Sequence, residues 1–136
     1  KKKKKIKEHL YRTMMTTKDL NDHFKKEVTS RRPIYFDAAE PRLIDELRRM
    51  GNNIQPSLKG RDSINAGIDL LKRFKIHITS DSNNAIQEFR NYKWSEDRTG
   101  KLTNKPVDKN NHIIDAVRYA TYSMLSRPNF GKYAVH

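Results

Sequence analysis

A histidine and an aspartate stand three residues apart in Asn111-His112-Ile113-Ile114-Asp115-Ala116-Val117-Arg118-Tyr119-Ala120. Residues at i and i+3 of a helix share a face, so His112 and Asp115 can be aimed at one spot. Ile113, Ile114, Val117 and Ala120 take up much of the remaining surface, which predicts a helix packed against a core. A carboxylate held there needs a partner for its charge, and a metal ion is one candidate. Asp37 is a second acid in a suggestive setting, because it closes the short apolar run Ile34-Tyr35-Phe36. In open α/β sheets, ligands gather outside the carboxyl ends of strands. Alone, Asp37 also reads as a turn or helix-cap residue, and His112 as a helix histidine bonded to a neighbouring carbonyl. Together, two carboxylates and an imidazole form a donor set for one or two divalent ions, which activate water and neutralise charge on a phosphodiester.

Those residues need elements to position them, and the apolar pattern supplies them. Thr16 or Thr17 can cap a helix carrying Leu20 and Phe24, which Pro33 prevents from continuing. The strand ending at Asp37 is followed by a helix that Glu40-Pro41 opens, that carries Leu43, Ile44 and Leu47, and that Gly51 stops. A second unit has Ile54 to Leu58 as a strand, Lys59-Gly60 as a turn, and a helix through Ile64, Ile68, Leu71 and Phe74, capped near Asp62 or Ser63. A third strand over residues 76–79 leads through Ser80, Asp81 and Ser82 into a helix with Ala85, Ile86 and Phe89. Tyr92 and Trp94 enter a polar stretch, residues 95–105, whose Arg98-Thr99-Gly100-Lys101 centre reads as a hairpin turn. The last helix spans about residues 110–125. Alternating strands and helices imply an α/β fold with parallel pairs and helices on the sheet faces. Ahead of all this, the five lysines at the start read as a solvated tail or hairpin tip, followed by an extended segment with Ile6, Leu10 and Tyr11.

Composition narrows the chemistry. A chain of 136 residues, 35% hydrophobic and 33% charged, suits a single domain over residues 1–136 with a modest core. A net charge of +13 points to a polyanion. Nucleic acid is favoured over an anionic membrane, because no long amphipathic basic helix stands out. The absence of cysteine excludes disulfides and thiolate sites, leaving oxygen and imidazole ligands that suit Mg²⁺ or Mn²⁺. No apolar run approaches the roughly 18 residues of a membrane span, and no secretory signal pattern is present; an intracellular protein without a membrane partner is the expectation.

Tyr35-Phe36-Asp37-Ala38-Ala39-Glu40-Pro41-Arg42 followed by Ile44-Asp45, then Lys59-Gly60, Asp62-Ser63-Ile64, and above all the segment from Asn111 to Ala120, resemble in the same order the carboxyl-terminal nuclease domain of tailed-phage terminase large subunits. The resemblance covers nearly the whole chain. It implies an RNase H-like mixed sheet flanked by helices, and a metal-dependent endonuclease that cuts concatemeric double-stranded viral DNA during packaging with two divalent ions, Mn²⁺ or Mg²⁺. By position it implies that Asp37 and Asp115 are metal-binding catalytic carboxylates, with His112 beside them as a ligand, water-positioning or proton-transfer group. The terminase small subunit and the portal protein are implied as partners, and the host cell cytoplasm as the location, with transient attachment to the procapsid. The chain has no Gly-x-x-x-x-Gly-Lys-Ser/Thr loop, so the packaging ATPase is expected elsewhere in a longer polypeptide. The resemblance also implies a preceding strand carrying a further aspartate. The chain is expected to begin after it, as an incomplete version of the domain, with Glu8 off the register of the family's glutamate.

Arg42, Lys59, Arg61, Arg98, Lys101 and Lys105 fall in or near predicted loops. Lys59 and Arg61 are the first choices for phosphate contacts because they follow a strand, and Arg98 and Lys101 because a hairpin can reach across a duplex. Such contacts are sequence-independent and salt-sensitive. Tyr92 and Trp94 read as hairpin packing before base stacking, and Asp108 as a cap before an outer metal-site acid. The alternatives to the nuclease are a noncatalytic RNase H-like DNA-binding or assembly module, and a resolvase- or integrase-type nuclease.

Overall fold

A computed structural model describes residues 2–28, 31–58 and 63–125. Along these residues run β1 (Lys2–Ile6), α1 (Thr17–Glu27), β2 (Ile34–Phe36), α2 (Pro41–Arg49), β3 (Ile54–Pro56), α3 (Ser63–Lys72), β4 (Phe74–Ile78), α4 (Asn83–Asn91), β5 (Trp94–Glu96), β6 (Leu102–Pro106) and α5 (His112–Leu125). β1 pairs with β4 and β2 with β3, both parallel, while β5 and β6 form an antiparallel hairpin. The architecture is mixed α/β, with the described strands in three two-stranded pairs. The described residues divide into two compact units, one within Lys1–Tyr11 and Ile64–Arg118, the other within Arg12–Ser63 and Tyr119–His136.

The unit holding Asp37 is organised around α2 and β3. Thr16 caps α1 through a reciprocal pair: its hydroxyl accepts from the Asp19 amide at 3.0 Å, and the Asp19 carboxylate accepts from the Thr16 amide at 3.1 Å. Two otherwise orphaned donors of the first turn are satisfied locally. Leu20 and Phe24 then pack, with Ile34, Phe36 and Leu43, against a buried core of Ile44, Leu47 and Ile54. Phe24 meets Phe36 edge to face with centroids 6.0 Å apart. Pro41 starts α2, where its missing N–H costs nothing. Gly51 follows the helix at φ +92°, a conformation that strains any residue with a Cβ. The expected helix boundaries of α1 and α2 hold.

The other unit departs from the sequence reading in two places. Lys2 to Lys5 are no tail: with Ile6 they make β1, in register with β4 from Lys2 opposite Phe74 to Ile6 opposite Ile78. The Lys4 ammonium sits 5.0 Å from the Phe74 ring centroid, so the stem and the charge both find a use on the sheet face that also holds Ile6. The second departure is Phe74, which does not belong to α3. That helix ends at Lys72, the Arg73 amide turns back to the Leu70 carbonyl at 3.1 Å, and Phe74 opens β4. Its three-residue spacing from Leu71 mimicked helical periodicity, but pairing with β1 decides its state. The hairpin forms where expected, with Gly100 at φ +82° and the Asp97 carboxylate accepting from the Thr99 and Lys101 amides at 2.8 and 3.0 Å. Trp94 belongs to the hairpin, as expected, with the Lys72 ammonium 5.7 Å from its ring centroid.

Candidate metal centre

His112 is the first residue of α5 and Asp115 lies one turn on, so the start of this helix decides where both point. Helix starts leave amides without intrahelical acceptors and carry a partial positive charge. Here a buried carboxylate from another helix meets both demands. Glu88, on α4 and only 3% exposed, accepts from the Ile113 amide at 2.8 Å and the Ile114 amide at 3.2 Å through one oxygen. Its other oxygen accepts from the Tyr11 hydroxyl at 3.0 Å, and that bond is the main reason the phenol is held above its ordinary pKa. The Tyr11 ring stands edge-on to the His112 imidazole, centroids 6.3 Å apart. Asn111, buried just before the helix, accepts from the Asp115 amide at 2.8 Å through its carbonyl. Its side-chain amide donates to Asp108 at 3.3 Å, so Asp108 braces the cap residue.

Asp115 is half-buried, and that burial pushes its carboxyl above the ordinary aspartate range against the pull of Arg118. Arg118 donates to Asp115 Oδ1 at 3.2 Å, and its side chain is 7% exposed. Such close burial of a guanidinium stem is possible because residue 67 is glycine. A Cβ there would lie 2.5 Å from Arg118 Cγ and 3.0 Å from Cδ. Tyr92 lies in the same field: burial first, and then the Asp115 charge, push its phenol up.

Asp37 follows the carboxyl end of β2, as expected. It is half-buried; its Oδ1 accepts from the Ala39 amide at 3.0 Å and its carbonyl from the Glu40 amide at 3.2 Å. These bonds make the turn that aims the chain into α2. Glu40 is the exposed cap position of α2, with no side-chain cap bond.

The structure thus brings His112 and Asp115 together on the first turn of α5, in one unit, and sets Asp37 at a strand end in the other. Among the described residues no group of three or more His, Cys, Asp or Glu side chains could hold an ion. Lys59 and Arg61 lie outside the described residues, as do Gly60 and Asp62. Arg98 and Lys101 are exposed on the hairpin turn, whereas Arg42 is engaged with Glu46 at 3.2 Å. Glu88 and Gly67 escaped the sequence reading. Glu88 did leave a trace, since an acid three residues after Ala85 and next to Phe89 falls on the apolar stripe of its helix.

Residues 1–122 match the family described as Terminase RNAseH like domain. The large terminase subunit of Bacillus phage SPP1 is 35% identical over 91 residues, covering 64% of this chain and 22% of that protein. The crystal structure of the large terminase nuclease domain of bacteriophage SPP1 with bound Mn superimposes with a TM-score of 0.71 at 33% identity, over 80% of this chain and 63% of that one. The large terminase of a thermophilic bacteriophage shares the fold, with a TM-score of 0.64 at 22% identity over 82% of this chain and 29% of its own. The chain therefore spans about a fifth of the curated relative's length and under two thirds of the SPP1 nuclease domain. With that family matched over residues 1–122, the chain belongs to the terminase RNase H-like domain family.

Proposed function

We propose that this chain is a metal-dependent endonuclease domain of a viral terminase large subunit, acting on concatemeric double-stranded DNA during genome packaging. The observation that carries the reading is the first turn of α5, where His112 and Asp115 share a helix start that Glu88 and Tyr11 hold from outside. The donor set fits a hard divalent cation: carboxylate and imidazole, no thiolate, and a half-buried aspartate whose carboxyl is held by burial above its ordinary range against the pull of Arg118. Arg118 occupies only Oδ1, and Oδ2 takes no hydrogen bond among the described residues. The bound Mn of the SPP1 nuclease domain supports the same choice of metal class.

Asp37 and Asp115 would hold the metal, taken as two ions of Mn²⁺ or Mg²⁺. When bound, such ions neutralise charge on a phosphodiester and lower the pKa of an attacking water. His112, exposed at the helix start, would position that water or exchange its proton. Arg98 and Lys101, with Lys59 and Arg61, would hold the phosphate backbone through sequence-independent contacts. The ATPase would lie in the longer polypeptide, and the small subunit and portal would be its partners in the host cytoplasm. Plasmid nicking in Mn²⁺, Mg²⁺ or EDTA tests the reading. Metal-dependent nicking that disappears in both Asp37→Ala and Asp115→Ala is expected. A chain that binds DNA but nicks with neither metal would instead be a noncatalytic module, and a strong preference for four-way junctions would make it a resolvase.

A further inference from the structure

The lysine run that opens the chain plays no part in the site above, yet it is built into the sheet. In β1 and β4, Lys3 stands opposite Lys75 and Lys5 opposite His77. Successive side chains of a strand point to opposite faces, and burial follows that alternation. Ile6 is buried, and Lys4, Phe74, Ile76 and Ile78 are half-buried, whereas Lys3, Lys5, Lys75 and His77 are all exposed. One face of this pair carries Ile6, Phe74, Ile76 and Ile78 together with Lys2 and Lys4, whereas the other presents Lys3, Lys5, Lys75 and His77 with no apolar residue among them.

Two physical rules are broken here. Parallel strands are ordinarily covered on both faces and read as continuous apolar runs, but this pair alternates. Like charges directly opposite each other destabilise a sheet, and Lys3 faces Lys75. Among the described residues no carboxylate forms an ion pair with Lys3, Lys5 or Lys75. The ribbon has a boundary at Lys7, where Asp81 is held below its ordinary range, mainly by Thr79 and in part by Lys7 and His9. A row of uncompensated cations fixed at strand spacing, with no apolar side chain among them, suits a regular polyanion. It lacks the apolar residues that a membrane-surface site inserts.

We propose that the exposed face of β1 and β4, with Lys3, Lys5 and Lys75 as its contacts and His77 beside them, docks the sugar–phosphate backbone of duplex DNA. The choice of DNA rests on the nuclease reading above; the polyanion itself rests on the ribbon. The face would hold substrate without reading its sequence.

The test is fluorescence anisotropy of the full chain on random-sequence duplex DNA across a salt series, with circular dichroism to confirm folding. The triple variant Lys3→Gln, Lys5→Gln, Lys75→Gln should weaken binding and flatten the plot of log K against log salt by roughly 0.9 for each lysine that contacts a phosphate. A charge-matched control on helices of the other unit, Lys25→Gln, Lys26→Gln, Arg49→Gln, should flatten it far less. Replacing the same three strand lysines by arginine should restore the slope. Equal losses in the strand and control variants, or no loss in the strand variant, would overturn the proposal. So would tighter binding through these lysines to phosphatidylserine vesicles, or to duplex RNA, than to duplex DNA. Nicking reports separately: a chain that loses DNA affinity in the strand variant yet never nicks retains this face and loses the nuclease reading. Metal-dependent nicking with unchanged affinity in the strand variant does the reverse.

Discussion

The starts of α1 and α5 solve the same problem in different ways. In α1 the orphaned amides are met by Thr16 and Asp19, three residues apart in sequence. In α5 they are met by Glu88, 25 and 26 residues away, which also holds the Tyr11 hydroxyl. A local cap stabilises its own helix and little else. A distant cap ties the helix to another element, so the side chains on its first turn inherit a fixed position. His112 and Asp115 are those side chains. The start of α4 repeats the device, with Glu8 accepting from the Ala85 amide at 3.1 Å and the Asn84 side chain at 3.2 Å, while Ser82 makes no side-chain cap bond. Carboxylates thus link the end of β1 to α4, and α4 to α5.

Breaking the distant cap should have the largest effect. Glu88→Ala leaves buried amides and the Tyr11 hydroxyl without their acceptor, at about 1–3 kcal/mol of stability. Metal-dependent nicking should also fall by about 10–100-fold, as when a group that orients metal ligands is lost. Urea unfolding and a Mn²⁺ titration of nicking, read separately, check the two halves. Glu88→Gln keeps acceptor oxygen on the side chain and should recover much of the stability; equal losses in both variants would count against the capping account. Next in size is Gly67→Ala. The new Cβ must displace the middle of the Arg118 side chain, which should cost about 1–3 kcal/mol and loosen its grip on Asp115. A thermal melt together with Mn²⁺ affinity tests this, and unchanged values for both would show that Arg118 can move aside freely.

The smallest effect belongs to the local cap. Thr16→Ala should cost about 1 kcal/mol and leave nicking untouched. Asp19 adds a pH signature, because its bonds to the Thr16 amide and hydroxyl hold its carboxyl below the usual value of 3.8. The folded pKa is depressed, so its contribution is fully present above 3.8 and is lost as pH falls through the lower folded value. Acid unfolding curves of the native chain and Thr16→Ala should therefore differ less at the acid end than at neutral pH.

The same contrast separates what the sequence made legible from what it hid. Thr16, Pro41, Gly51 and Gly100 declare their roles within a few residues, and α1, α2 and the hairpin appear where those residues predict them. The first turn of α5 was legible too, since His112 and Asp115 stand at helical spacing. Three features depend on partners far along the chain and were not. The lysine run became a strand because β4, about 70 residues on, supplied its partner. Phe74 left its helix for the same pairing. Glu88 left only an acid on the apolar stripe of α4, because its acceptor role is written in the backbone of α5, 25 and 26 residues on.

Mn²⁺ binding to the full chain, followed by electron paramagnetic resonance as free Mn²⁺ is depleted, bears most directly on the proposed metal centre. The native chain should deplete the Mn²⁺ signal, and Asp37→Asn and Asp115→Asn should each lose that binding while remaining folded by circular dichroism. Undiminished Mn²⁺ binding in both folded variants would contradict the assignment of these two carboxylates to a metal centre.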